Sequence, residues 1–171
     1  CNLHCPLCYA SAGEGEFLTL AKIGEMIDFF IASENGNAEI LQISGGEPTL
    51  HPNILEILWM AKNKGVKYVM LNTNGLRIAN DEEFTKSLQP LAVEGGFEVY
   101  LQFDGFKETT YKTLRGEMLL DTKKQALKNL ALFQIPTTLV MSVAKDINDD
   151  EIGDVFLFAL STPYVRGVNY Q

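Results

Sequence analysis

Three cysteines stand within the first eight residues, in the run Cys1-Asn2-Leu3-His4-Cys5-Pro6-Leu7-Cys8, spaced C-x3-C-x2-C. Thiolates are strong, soft metal ligands, and a loop this short can wrap a compact object. Three thiolates suit three corners of an iron–sulfur cube, leaving one iron free to bind a small molecule. A structural zinc with His4 as fourth ligand is the rival reading, although His4 adjoins Cys5, which makes joint chelation of one ion awkward. An odd, tight cluster is a poor disulfide framework and points to a reducing compartment.

A second run, Gly45-Gly46-Glu47-Pro48-Thr49, follows a short apolar stretch, Ile40 to Ile43. Glycine permits close backbone approach and positive φ, and Pro48 biases Glu47 toward an extended backbone. A carboxylate offered there is an acceptor for an ammonium group. Polar residues spaced by two close three further stretches: Asn72 and Asn74, Gln102 and Asp104, Asn169 and Gln171. While strand geometry persists, that spacing sets each pair on one face, so the pairs would ring a common mouth.

The elements that must position these residues alternate. Thr19 caps an amphipathic helix carrying Leu20, Ile23, Met26, Ile27, Phe30 and Ile31, ending near Gly36. A helix from Pro52 to Gly65 follows the strand at 40–43, and a strand at 68–71 comes next. A short helix after Asn80 and Asp81 leads to a strand at 99–103, and a helix from Asp121 leads to a strand at 137–143. Asn148 with Glu151 three residues on reads as a capping box for the last helix, before a closing strand at 164–170. Five strands and five helices in βαβ alternation, in units of about 30 residues, predict an α/β fold with a parallel sheet. Ligands of such sheets bind at the carboxyl ends of the strands.

The bulk numbers exclude some classes. The 171 residues are 46% apolar and 21% charged, ordinary for one globular domain. Acidic residues outnumber basic ones 22 to 14, without a Lys/Arg cluster, which argues against nucleic acid as a partner. No apolar run approaches the roughly 20 residues of a transmembrane segment. The first residue is a cysteine rather than a methionine, so the reading expects further chain upstream.

Together, the cysteine run, the aromatic Tyr9 directly after it, and Gly45-Gly46-Glu47-Pro48 after a strand resemble the radical S-adenosylmethionine (SAM) superfamily, over essentially the whole chain. The resemblance implies a partial (βα)6 barrel of the TIM type. Its first strand would lie upstream, and residues 1–171 would form a single core domain cut from a longer chain at both ends. Cys1, Cys5 and Cys8 would ligate a [4Fe–4S] cluster whose fourth iron chelates the methionine part of S-adenosyl-L-methionine. Gly45, Gly46 and Glu47, with Pro48, would hold the amino group, and Tyr9 would lie beside the adenine. Thr73 and Asn74 match a third-strand motif near SAM. Gln102 stands where many relatives carry a serine near the ribose, and Asp104 faces the same mouth. Ser142, Arg166, Val168 and Asn169 are further candidates for SAM or substrate contact. Arg115 has a family counterpart, but by itself reads as a solvated surface arginine. His4 and His51 need no catalytic role, and His51 leads into a helix.

In this superfamily the reduced cluster passes one electron to the sulfonium, giving methionine and a 5′-deoxyadenosyl radical that takes hydrogen from a substrate. The resemblance therefore implies an oxygen-sensitive, cytoplasmic enzyme fed by a low-potential donor such as flavodoxin or ferredoxin. Tyr100-Leu101-Gln102-Phe103-Asp104-Gly105-Phe106, Leu114-Arg115-Gly116 and Val165-Arg166-Gly167-Val168-Asn169-Tyr170-Gln171 look like one branch, that of tetraether-lipid synthases and methanopterin-type radical SAM methylases. A lipid, a pterin or another small molecule is the substrate that branch implies, for C–C bond formation or methylation. Enzymes resembling the molybdenum-cofactor cyclase or peptide-maturing enzymes are the neighbouring alternative. A non-enzymatic zinc module is the alternative of another class.

Overall fold

The structure is a computed structural model that describes residues 1–6, 8 and 15–171. Tyr9, assigned above to the adenine, lies outside the described residues. Helix α1 (Leu20–Ser33) opens the regular structure, with the Thr19 hydroxyl accepting from the Lys22 N–H at 3.2 Å, as the capping pattern predicts. Then come β1 (Ile40–Ile43), α2 (Ile54–Asn63), β2 (Tyr68–Thr73), α3 (Leu76–Asn80), α4 (Glu82–Ser87) and α5 (Gln89–Glu94). They are followed by β3 (Phe97–Gln102), α6 (Glu108–Arg115), α7 (Leu120–Leu132), β4 (Thr137–Met141), α8 (Ile152–Ser161) and β5 (Val165–Tyr170).

All four strand pairings are parallel, and the order is β1-β2-β3-β4-β5, so the expected α/β sheet is present. The order never reverses. Right-handed crossovers without a reversal put every helix on one side of the sheet, as in a barrel and unlike a doubly wound fold. Burial follows. On β2, Val69, Leu71 and Thr73 are buried against the helices, while Tyr68, Met70 and Asn72 alternate onto the half-open inner face. On β3 the same alternation sends Val99 and Leu101 outward into the core and Glu98, Tyr100 and Gln102 inward. The core joins those outward residues to Leu58, Ile78, Leu127 and Leu130 of the helices and to Leu88 in the turn between α4 and α5.

Several expected boundaries shift. Helix α2 starts at Ile54, because a 3-10 turn over Pro48–Leu50 and the bend at His51 occupy the preceding residues. The one helix expected between β2 and β3 is three short ones, cut by the Asp81 cap, whose side chain accepts from the Phe84 N–H, and by Pro90 near the start of α5. Helix α6 was not anticipated. The capping box at Asn148 and Glu151 is absent: Asn148 caps no helix with its side chain, which instead ties the end of β3 to the segment after β4, while Glu151 is spent on the β3–α6 loop. Among the described residues no helix is long and apolar enough to cross a membrane.

Candidate active site

The cysteine segment is pinned against the sheet's carboxyl end. Leu3 packs in a small cluster with Tyr111, Leu119 and Leu120, and the Asn74 side-chain amide donates to Asn2 Oδ1 at 2.8 Å. Cys1, Cys5 and Cys8 thereby line one cavity of about 110 Å³ together with Ser44, Gly45, Gly46, Glu47, Asn72, Thr73, Asn74, Gln102 and Arg115. The strand-end rule thus gathers, around one cavity, the cysteines, the Gly-Gly-Glu run and the ends of β2 and β3.

Local chemistry explains the shape of its walls. Gly45 sits at φ 140°, a conformation L side chains rarely adopt, and Glu47 is extended at φ −125°, ψ 107°, as the following proline predicts. The Glu47 carboxylate does not stand out as a bare acceptor. It is 5% exposed: Oε1 accepts from the Thr49 N–H (3.0 Å), the Thr49 hydroxyl (2.6 Å) and the Thr73 hydroxyl (2.7 Å), and Oε2 from the Asn74 N–H (2.7 Å). It fastens the β1 loop to the end of β2. Pro48 is buried and opens the 3-10 turn outside the cavity lining. Gly75 is required next: at φ 79°, a Cβ would meet Leu101 Cδ1 at 2.5 Å.

Beneath the cavity lie two fixed cations. Arg115, expected at the surface, is 7% exposed. Its Nε and Nη2 donate to Asp104 Oδ2 and Oδ1 at 2.7 and 2.6 Å, and Nη2 also donates to the Ser142 hydroxyl at 2.8 Å. Asp104 also accepts from the Ser142 N–H at 3.1 Å. Burial opposes the charge on Arg115, but the Asp104 carboxylate beside it outweighs that and holds the guanidinium's pKa above its ordinary value. Lys123 of α7 is fully buried. Its ammonium donates to the Asn74 carbonyl at 2.5 Å and to Gln102 Oε1 at 3.1 Å, and desolvation pulls its pKa down to about 8. An ammonium cannot accept a hydrogen bond, so it fixes which way the Gln102 amide faces: the oxygen to Lys123, the NH2 away from it.

Other expectations are corrected by position. Asp104 is not at the mouth; it has no exposure and lies behind Arg115, because a carboxylate clamped by a guanidinium and a backbone N–H is drawn under the surface. Ser142 braces the same clamp and does not line the cavity. Arg166 sits at the amino end of β5, at the opposite end of the sheet from the cysteines, with its guanidinium beside Tyr68. Asn169 donates to the Tyr100 hydroxyl on the inner face, Val168 packs toward the core, and Gln171 pairs by backbone with Met141 and Val143. The polar ring thus holds at Asn72 and Asn74 at the end of β2, at Gln102 alone on β3, and fails on β5. His51 is structural: Nδ1 accepts from the Asn53 N–H at 3.0 Å, so Nε2 donates to the Leu18 carbonyl at 3.0 Å.

The clamp is braced from behind. Asn148 donates to the carbonyls of Asp104 (2.7 Å) and Ser142 (3.0 Å), and Glu151 accepts from the Phe106 N–H at 2.8 Å. Lys123 was missed altogether, yet its spacing carried a signal. It stands at i, with Ala126, Leu127 and Leu130 at i+3, i+4 and i+7. A lysine on the apolar stripe of a helix is a buried lysine.

A parallel, unreversed βα arc with a three-cysteine loop and a Gly-Gly-Glu-Pro turn at its carboxyl end defines a class, and the family comparison agrees. The radical SAM superfamily model matches residues 1–159, and the chain belongs to that superfamily. Its cofactors are those of the family, a [4Fe–4S] cluster and SAM. The chain is 33% identical, over its whole length, to the 7,8-dihydro-6-hydroxymethylpterin dimethyltransferase of Methanocaldococcus jannaschii, of which it spans 34%. It is 33% identical over 93% of its length to the probable GTP 3′,8-cyclase of Pyrococcus horikoshii, spanning 49% of it. The chain therefore covers between a third and a half of these relatives. In fold it matches Streptococcus suis SuiB bound to S-adenosylmethionine, with a TM-score of 0.76, 18% identity, and coverage of 99% of this chain and 38% of that one. It also matches anSMEcpe with bound AdoMet, with a TM-score of 0.74, 21% identity, and coverage of 99% and 48%.

The residues fit the cofactors by their chemistry. Three thiol-bearing side chains face one cavity, and the same walls supply polar backbone, an amide and a guanidinium. The zinc-module alternative falls with the family match.

Proposed function

We propose that this chain is the SAM-cleaving core of an enzyme that abstracts hydrogen from a small molecule built on a 2-aminopyrimidin-4-one ring, a pterin or a guanine. When bound and reduced, the cluster supplies one electron to the sulfonium and so a carbon radical at the nucleoside's 5′ position. Cys1, Cys5 and Cys8 hold the cluster. The Gly45–Gly46–Glu47 loop, fastened by its own carboxylate, takes the methionine amino group. Arg115 offers its guanidinium to the methionine carboxylate, and Asp104 keeps it aimed. Thr73, Asn74 and Gln102 close the wall on the ribose side, and Tyr9 is assigned to the adenine. Asn169 belongs to the substrate side.

The observation that carries this reading is that the three cysteines, the Gly-Gly-Glu loop and the ends of β2 and β3 share one cavity. The ring class is supported by the two relatives: a hydroxymethylpterin and GTP carry the same aminopyrimidinone. The inner face of the sheet supports it over a lipid tail, since Tyr68, Glu98, Tyr100, Thr138 and Asn169 make that face polar. A low-potential flavodoxin or ferredoxin is the proposed donor. The reducing cytoplasm is the proposed compartment, because an iron–sulfur cube on thiolates needs it. Anaerobic reconstitution tests the reading. Roughly four irons and four sulfides per chain are expected, with formation of methionine and 5′-deoxyadenosine under strong reduction. Cys5→Ala should abolish both; a chain that takes up a single zinc, or a cluster that never cleaves SAM, would refute the proposal.

A further inference from the structure

The inner face of the sheet holds a second polar cluster, at the strands' amino ends. Its centre is Glu98, second residue of β3, 8% exposed. The Tyr68 hydroxyl donates to its Oε2 at 3.2 Å, and the Thr138 hydroxyl reaches both oxygens at 3.4 Å. Among the described residues no lysine, arginine or histidine makes an ion pair with it. A carboxylate offers about four acceptor positions, and here two hydroxyl protons serve them. Buried charges are ordinarily paired. This one instead lines a cavity of about 440 Å³ with Ile40, Tyr68, Met70, Glu39 and Lys67, the last two paired with each other. Arg166 lies beside the Tyr68 hydroxyl.

We infer that Glu98 is a substrate-reading residue: its carboxylate accepts the ring N–H and the adjacent amino group of an aminopyrimidinone, while Arg166 donates to the ring carbonyl. The inference rests on the ring class proposed above and deepens it. The edge of such a ring presents, in a row, an acceptor and two donors. The two Glu98 oxygens complement the two donors, and the Arg166 guanidinium beside the Tyr68 hydroxyl belongs to the same cluster. Two N–H groups donating side by side to one carboxylate form the bidentate, charge-assisted pairing that fixes orientation as well as affinity. Tyr68 supports this arrangement from behind: burial, then the Glu98 charge, raises its pKa, so it stays a donor to Glu98. Glu98 and Gln102 lie four residues apart on one strand, about 13 Å. A ring held at Glu98 therefore leaves the substrate's substituents pointing toward the SAM cavity.

The test is equilibrium binding to the cluster-reconstituted protein, with 6-hydroxymethylpterin as fluorescent probe and guanosine as second ligand. The matching lumazine, in which a carbonyl replaces the amino group, is the control. Wild type should prefer pterin to lumazine by on the order of 100-fold, because a site built to accept a hydrogen bond rejects the analogue lacking the donor. Glu98→Gln should weaken pterin and guanosine by tenfold or more, leave lumazine nearly unmoved, and so erase the discrimination. Tyr68→Phe, which leaves the carboxylate in place, should keep most of it. Pterin affinity unchanged in Glu98→Gln, or a variant that weakens pterin and lumazine alike, would overturn the role of Glu98 while leaving the ring class standing. A wild-type protein that binds neither pterin nor guanosine would overturn both, and its cleavage of SAM would still report on the radical chemistry separately.

Discussion

Two buried carboxylates at opposite ends of one strand meet the problem of burial in different ways. Asp104, just past β3, has no exposure and is locked to Arg115 by two hydrogen bonds of 2.7 and 2.6 Å, with a backbone N–H besides. Glu98, at the other end, has only hydroxyls as hydrogen-bond partners among the described residues, at 3.2 and 3.4 Å. The first end is a finished ionic structure whose purpose is to hold a cation still beside the cysteines. The second is an unfinished one. A group whose acceptor capacity the fold leaves open is free to spend it on a ligand, and a group that the fold has saturated can only position its partner. The same distinction separates Glu47, saturated by four donors, from the loop it holds.

The comparison breaks most visibly at Arg115. Arg115→Ala leaves the Asp104 carboxylate buried and uncompensated, and an unfolding free energy lower by about 3–5 kcal/mol is expected in urea titrations. Arg115→Lys should recover only part of that, since a point charge cannot make both bonds of the fork. If Arg115→Ala were neutral, the clamp would be ornamental and its alignment of the cavity wall would need another source.

How much of this was legible beforehand follows from where each signal lives. The parallel order was readable because each strand is a short run that follows a glycine or proline and, for the first four, leads into helical residues, so local pattern and global fold agree. The cysteine and Gly-Gly-Glu-Pro runs were readable because their chemistry is written in adjacent residues. Arg115 was misjudged because its partner lies eleven residues back, and neither residue's burial is visible until α6 folds over the end of β3. Asp104 and Asn169 show the limit of counting by twos: the rule holds while a strand lasts, but β3 ends at Gln102. On β5 the register slips between Thr137 and Thr138 of its neighbour, so the expected ring does not close there. Glu98 could have been read from its alternation with Tyr100 and Gln102, but nothing local announces that it lacks a cation.

Lys123 gives a second, smaller break, through pH. Its folded pKa, about 8, lies below the ordinary 10.5. Between those values the unfolded chain holds more protons than the folded one, so this group makes stability rise with pH across that window. Below about pH 8 the cost of burying the ammonium is fully present, on the order of 3 kcal/mol from the width of the shift. In cluster-free protein, the stability of wild type minus that of Lys123→Met should therefore climb from pH 7.5 to pH 10. A flat difference would mean that the hydrogen bonds to Asn74 and Gln102 compensate the burial entirely.

The smallest expected effect sharpens the comparison furthest. Glu98→Gln keeps the shape and an oxygen for the Tyr68 hydroxyl, removes a charge that makes no ion pair among the described residues, and adds an NH2 facing the cavity. Unfolding free energy should therefore stay within about 1 kcal/mol of wild type, because replacing an unpaired buried charge by a neutral isostere forfeits little that the fold relies on. Residues kept for a ligand rather than for folding commonly show that indifference. A loss of several kcal/mol, as expected at Arg115, would mean that Glu98 plugs the floor of the sheet and that both ends of β3 serve the fold alone. Near-neutral stability alongside lost pterin selectivity would separate the two ends: one carboxylate committed to holding the protein together, the other held in reserve for what enters it.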